Sequence, residues 1–130
     1  MVHGKGSLLR KMPGDRWQQL AGVRALLAYQ WSHPGKKLLF MGGEFAQEAE
    51  WSEAGSLDWA QGDSPGHAGV RLALRRLNEV YREHRALWAQ DFTHEGFEWL
   101  EANDGDHNVL AYLRKAGRPE RGRTGAPVQR

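Results

Sequence analysis

The sequence predicts an incomplete α/β fold, on three observations. Apolar residues recur at helical spacing over residues 17–31, a short, continuously apolar stretch ("LLFM") occupies 38–41, and a second helical pattern runs over 65 to about 84. Helix, buried strand, long loop and helix in that order make half of an α/β repeat. Beyond residue 90 the period changes from 3.6 to 2, which predicts a β-hairpin. One strand with two helices closes no parallel sheet, and a lone hairpin is marginal in water. Both parts therefore read as pieces of a larger architecture.

Each element has a local cause. Residues 1–14, with three glycines and one proline, read as loop. Asp15 is placed to N-cap the first helix, and Gln18 completes a capping box. Trp17, Leu20, Ala21, Leu27, Ala28 and Trp31 follow at helical spacing. Val23, Leu26 and Tyr29 widen the apolar face, so cover on more than one side is expected. "SHPG" ends the helix, since Pro34 and Gly35 are both stop signals. "LLFM" is too short and too uniformly apolar for a half-exposed strand; it suits a parallel strand buried on both faces. Gly42 and Gly43 allow close backbone approach where that strand ends. A polar loop, 44–63, comes next. Ser64 and Pro65 read as N-cap and first residue of the second helix, whose apolar stripe is Val70, Leu74, Leu77 and Tyr81. In "GFEWLEANDGDHNVLAYLR" Phe97 and Trp99 share one face, Glu98 lies on the other, and "NDGD" supplies the turn. Residues 116–130, rich in Arg, Gly and Pro, read as disordered.

Composition narrows the function classes. Apolar residues make up 40% of 130, enough to fill one core. Six tryptophans fit a large core or, alternatively, a surface for sugars and aromatic ligands. The absence of cysteine excludes disulfides and thiolate metal sites and suits a cytoplasmic setting. The opening "MVHGKGSLLRKMPGD" has no apolar core of a signal peptide, and no stretch approaches the roughly 20 apolar residues of a membrane span. The six histidines lack metal-ligand spacing, so neither metal nor cofactor is expected. The net charge is +2, but residues 115–130 carry five basic side chains and one acid, +4, leaving −2 for the other 114. Such a tail has no aromatics and is not the folded basic patch of a nucleic-acid binder.

Candidate chemistry concentrates after "LLFM". Glu44, Glu48 and Glu50 could include a carboxylate pair for glycoside chemistry. Alternatively, Glu44 anchors the loop through backbone N–H groups while Glu48 and Glu50 are solvated. Trp51, Trp59 and Phe45 could stack on sugar rings or pack the loop down. Asp58 could bond a sugar hydroxyl or cap a turn. His3, Lys5 and Ser7 lie in a glycine-rich opening, but "GKGS" lacks the first glycine of a phosphate loop. There is no nucleophile elbow.

The motifs "VHGK", "KMPGD", "HPGKKLLFMG", "EFAQ" and "SLDW", followed by "LNEVYREHRALWAQDF" and "GFEWLEAND", together resemble 1,4-α-glucan (glycogen) branching enzymes of the α-amylase-type superfamily. The likeness covers residues 2 to about 114. It implies the C-terminal portion of a (β/α)8 barrel over 1–90, the first hairpin of a β-sandwich over 91–115, and the tail over 116–130. The implied activity is glycosyl transfer with retention: an α-1,4-glucan segment is moved to a 6-hydroxyl, making the α-1,6 branches of glycogen. The family's aspartate nucleophile, glutamate acid/base and second aspartate match no residue here, so the chain alone is expected to be inactive. What the resemblance leaves to this chain is the substrate side: His3, Lys5, Glu44, Trp51, Asp58 and Trp59, facing an α-1,4-glucan, with no nucleic acid and no membrane as partner. The alternative is a non-catalytic glucan-binding piece, or one that complements a separate barrel portion.

Two departures carry expectations about the gene. Met1 stands where the family usually has valine, which suggests a GTG valine codon taken as a start. After "LAYLRK" the family continues with apolar strands, whereas here Arg, Gly and Pro follow, which suggests a frameshift or early stop. "EAEWSEAG" also replaces an Arg-Glu-Trp run in the loop.

Overall fold

In the computed structural model, which describes residues 4–118, secondary structure is mixed: three α-helices, four short 3-10 turns and one two-stranded antiparallel sheet. The chain divides into two units, one of residues 4–30 and 37–78, the other of 31–36 and 79–118. Among the described residues, no helix is long and apolar enough to cross a membrane.

In the first unit the opening is more ordered than its glycines suggest. Ser7 caps a one-turn helix, α1 (Leu8–Lys11), accepting from the Arg10 amide at 3.3 Å, and Leu9 is fully buried. Helix α2 (Arg16–Ser32) starts with the expected reciprocal box. The Asp15 amide donates to Gln18 Oε1 at 2.8 Å, and the Gln18 amide donates to Asp15 Oδ1 at 2.9 Å. Leu20, Val23 and Leu27 are its buried residues in this unit. The expected second covered face is not there: Trp17 is 72% exposed, and Leu26 and Tyr29 are exposed too. Burying a second face needs an element packed on it, and among the described residues of this unit none covers Trp17.

The strand expected at 38–41 is corrected. Its residues are irregular, and Leu38, Leu39, Phe40 and Met41 are all exposed, Leu38 at 72%. A parallel strand exists only through its ladder, and the one sheet among the described residues lies elsewhere. Instead the Leu38 carbonyl accepts from Gln30 Nε2 at 2.6 Å, and the chain reverses as the Gly43 amide donates to the Phe40 carbonyl at 2.8 Å. With Leu8, Leu26 and Leu27, residues 38–40 line an open apolar pocket of about 290 Å³. Helix α3 (Pro65–Glu83) begins where expected. The Ser64 carbonyl accepts the first helical bond from the Ala68 amide at 2.8 Å, while its hydroxyl donates back to the Gln61 carbonyl at 2.6 Å. Val70 and Leu74 are buried; Leu77 and Tyr81 are half-buried.

The second unit contains the predicted hairpin, β1 (Phe97–Asp104) and β2 (Val109–Arg114), with Asn108 at φ 54° in its turn. Trp99 pairs with Tyr112 across the ladder. Phe97, Trp99 and Tyr112 form an aromatic group with ring centroids 5.1–5.5 Å apart, and His33 meets Phe97 edge-on at 5.3 Å. Tyr112 and Ser32 share a hydrogen bond between their hydroxyls. Arg114 does the most. It pairs with Asp91 at 2.8 Å, both side chains at most 4% exposed, and donates to the carbonyls of Gly96 at 3.2 Å and Ser32 at 3.0 Å. The Tyr81 hydroxyl is pushed above its ordinary pKa by burial and by the negative Asp91. The tail expected to be disordered lies, from residue 119 on, outside the described residues.

Candidate functional site

The polar loop expected to carry chemistry is built on one sharp turn. Gly42 takes φ 84° and Ala46 φ 54°, both left-handed. A Cβ on Gly42 would stand 2.8 Å from that of Gln47, so this position demands glycine twice over. Between them Phe45 is driven into the core at 1% exposure. Its carbonyl accepts from Nδ1 of His67, a buried side chain on α3, at 2.9 Å, which fixes the proton on that nitrogen.

Two glutamines then join the arms of the loop. The buried Gln47 accepts from the Asp58 amide through Oε1 at 2.8 Å and donates through Nε2 to the Ala49 carbonyl at 3.0 Å. Gln61 accepts from the Glu48 amide at 2.8 Å. The bonds run in opposite directions across the loop: a side chain of 42–51 holds the backbone of the other arm, and a side chain of that arm holds the backbone of 42–51.

The acids divide the work differently from either expectation. Glu48 and Glu50 are not merely solvated. Glu48 pairs with Arg16 at 2.7 Å, and the bond and charge of that guanidinium hold its carboxyl below the usual range. Its carbonyl accepts from the buried Ser7 hydroxyl at 2.8 Å. Glu50 Oε1 accepts from the backbone amides of Gly4 and Lys5, the latter at 3.2 Å. The opening segment is thus strapped to the loop. Glu44, the expected anchor, sits half-buried in the 3-10 turn Gly43–Phe45, and its carboxylate makes no hydrogen bond or ion pair among the described residues. Anchoring fell to residues whose side chains reach backbone amides, which Glu44 does not.

The other candidates fall around this frame. Trp51 is half-buried and meets Phe40 edge-on at 5.3 Å. It lines, with Ser7, Phe40, Gly42 and Gln47, a small cavity of about 20 Å³, room for one water. Trp59 is 60% exposed, its ring tilted against Phe45 at 5.7 Å, so a broad indole face is open to solvent. The Gln61 amide donates to the Asp58 carbonyl at 3.1 Å and more weakly to its Oδ1 at 3.4 Å, so Asp58 sits just ahead of the turn Gln61–Asp63. Lys5 reaches the site through its backbone; its side chain is exposed. His3 lies outside the described residues. No group of three acidic or imidazole side chains among the described residues is placed to hold a metal.

Sequence reasoning missed Gln47, Gln61, Arg16 and His67, and weighed Ser7 only for phosphate binding. Their cross-chain partners lie 11 to 41 residues off, where no periodic signal reports them. The one available hint is "EFAQ": a neutral polar residue following an apolar pair in a loop otherwise rich in acids.

No protein-family model matches the chain. Curated relatives do. The chain is 61% identical over 117 residues to the 1,4-alpha-glucan branching enzyme of Frankia casuarinae, covering 90% of this chain and 14% of that protein. It is 60% identical over 120 residues to that of Leifsonia xyli, covering 92% and 16%. With that of Aquifex aeolicus it shares 55% over 115 residues, covering 88% and 18%. The chain therefore spans about one-sixth of the length of the relatives it matches. Over nine-tenths of its own length, it is a homologue of a segment of the 1,4-alpha-glucan branching enzymes.

Proposed function

We propose that this segment supplies glucan-contacting loops to an enzyme that transfers an α-1,4-glucan segment to a 6-hydroxyl, and that the 130-residue chain alone transfers nothing. The observation that carries the reading is identity of 55–61% to branching enzymes along almost the whole chain. The two loop acids that could have formed a carboxylate pair with Glu44 are engaged elsewhere: Glu48 pairs with Arg16 and Glu50 accepts from backbone amides. In this reading residues 1–90 belong to the end of a (β/α)8 barrel and 91–115 to the first hairpin of a β-sandwich. The exposed 38–41 stretch, irregular in this chain, would become the last barrel strand only once the remainder of the barrel, its partner in this reading, covers it. Exposed apolar surface of this kind makes the isolated chain prone to association. A cytoplasmic location goes with a glycogen substrate. An iodine-stain branching assay on amylose tests the claim of inactivity: no colour shift is expected, and turnover above a protein-free control overturns it.

One observation favours a second property in the isolated chain. Among the described residues, the bonds that close the loop run to residues within 4–71. Glucan contact through Trp59, Trp51 and Asp58, with His3, Lys5 and Glu44 alongside, would then survive without transfer. Stacking on an open indole face suits the apolar faces of glucose rings. Retarded migration in a glycogen-containing native gel, weakened in Trp51→Ala, is the expected result.

A further inference from the structure

From the crossed bonds we infer that Gln47 and Gln61 are positioning residues for glucan, and this rests on the glucan-contact reading above. Neither amide group is placed to react with anything. Each spends its acceptor on a backbone N–H of the opposite arm: Gln47 on Asp58 at 2.8 Å, Gln61 on Glu48 at 2.8 Å. The arm ending in Trp51 and the arm carrying Asp58 and Trp59 are thereby held at fixed separation. Between them residues 52–56 are exposed and, among the described residues, make only local bonds such as that of the Ala54 amide to Ser52 Oγ at 3.3 Å. Without the glutamines the two arms would be joined through this segment and through weaker turn bonds.

Three features make the pair more than loop packing. Gln47 is buried and its second amide function is also used, on the Ala49 carbonyl, so it has one orientation. Gly42 leaves room for the Gln47 stem where any Cβ would collide. Gln61 is set in its own 3-10 turn, Gln61–Asp63, and its amide donates to the carbonyl of Asp58, the residue Gln47 holds, at 3.1 Å. The two bonds thus share a residue and stiffen together. A ligand that touches both arms gains when their separation is fixed before it arrives, because ordering them is no longer charged against binding. An α-1,4-glucan of several rings is long enough to touch both arms, whereas one glucose is not.

Amide hydrogen exchange and maltoheptaose titration of the full chain test this together. Gln47→Ala should speed exchange of the Asp58 amide, and Gln61→Ala that of Glu48, each by about fivefold or more. Both should weaken maltoheptaose by about two- to tenfold, while glucose binding stays unaltered. Gln47→Glu keeps the acceptor oxygen and should restore protection of Asp58, a rescue that lost packing alone would not give. It also keeps the test open should the alanine variant lose its helical circular dichroism. Unchanged exchange at both amides in the folded double variant overturns the positioning role. So does faster exchange with maltoheptaose affinity within twofold of the parent. A parent chain that binds no maltoheptaose, with its amides protected, instead overturns the glucan reading on which the role depends.

Discussion

The loop at 42–63 and the hairpin at 97–114 solve the same problem in opposite ways. Each must fix exposed side chains without a sheet behind them. The loop uses many neutral bonds from side chain to backbone: Gln47, Gln61, Ser7 and His67, each touching one or two groups. The hairpin relies on one buried ion pair, Arg114 with Asp91, and on an aromatic group beside it. Spread over many contacts, the first should degrade gradually when one residue is lost. The second should fail at a single point. A buried pair of charges stabilises little over an apolar pair, but removing one partner strands the other in a medium that cannot solvate it.

Arg114→Met is accordingly the largest expected effect. It leaves the Asp91 carboxylate buried, with Oδ2 already accepting no hydrogen bond among the described residues, and should cost about 3–5 kcal/mol. The drop would show in the urea midpoint followed by tyrosine and tryptophan fluorescence. Adding Asp91→Leu to that variant should recover most of the loss. If the double variant is no better than the single, the hairpin depends on the three-way reach of Arg114 to Ser32 and Gly96, and the contrast with the loop narrows. Gly42→Ala comes next, at about 1–2 kcal/mol from the left-handed backbone, with a further contribution from the Gln47 collision. It should loosen 42–51 and leave the hairpin's fluorescence unchanged.

The smallest effect is the pH dependence of the Arg16–Glu48 pair, on the exposed side of the loop. The folded carboxyl titrates below its unfolded value. Its contribution is therefore complete above the ordinary glutamate range and is lost as pH falls through the lowered folded value. Urea midpoints of the parent and of Glu48→Gln should differ slightly at pH 6 and converge toward pH 2. Midpoints that diverge toward acid would reverse the sign and exclude a stabilising role.

Legibility in the sequence followed the range of the interactions. The capping box at Asp15 and Gln18, the start of α3 at Pro65 and the hairpin were readable, because neighbours within a few residues determine them; the turn, expected at "NDGD", falls two residues later, at 105–108. Residues 38–41 show the limit. Four apolar residues predict burial on both faces, yet a strand is a relation between chains of backbone, and among the described residues there is no partner for it. The loop shows a second limit. Glutamates attract attention because they carry charge, so Glu44 stood out and Gln47 did not. Which polar side chain meets a backbone amide depends on the turn at Gly42 and Ala46, which exists only once Phe45 has entered the core. The Arg114–Asp91 pair, 23 residues apart, was equally invisible.

The loop at 42–63 keeps its shape through its own crossed bonds, before any sugar is present. Native-state amide exchange of the unmodified chain, without ligand, is the decisive measurement. The amides of Asp58 and Glu48 should exchange at least about tenfold more slowly than those of residues 52–56. Exchange of both at the rate of 52–56, with α2 still protected, would contradict it.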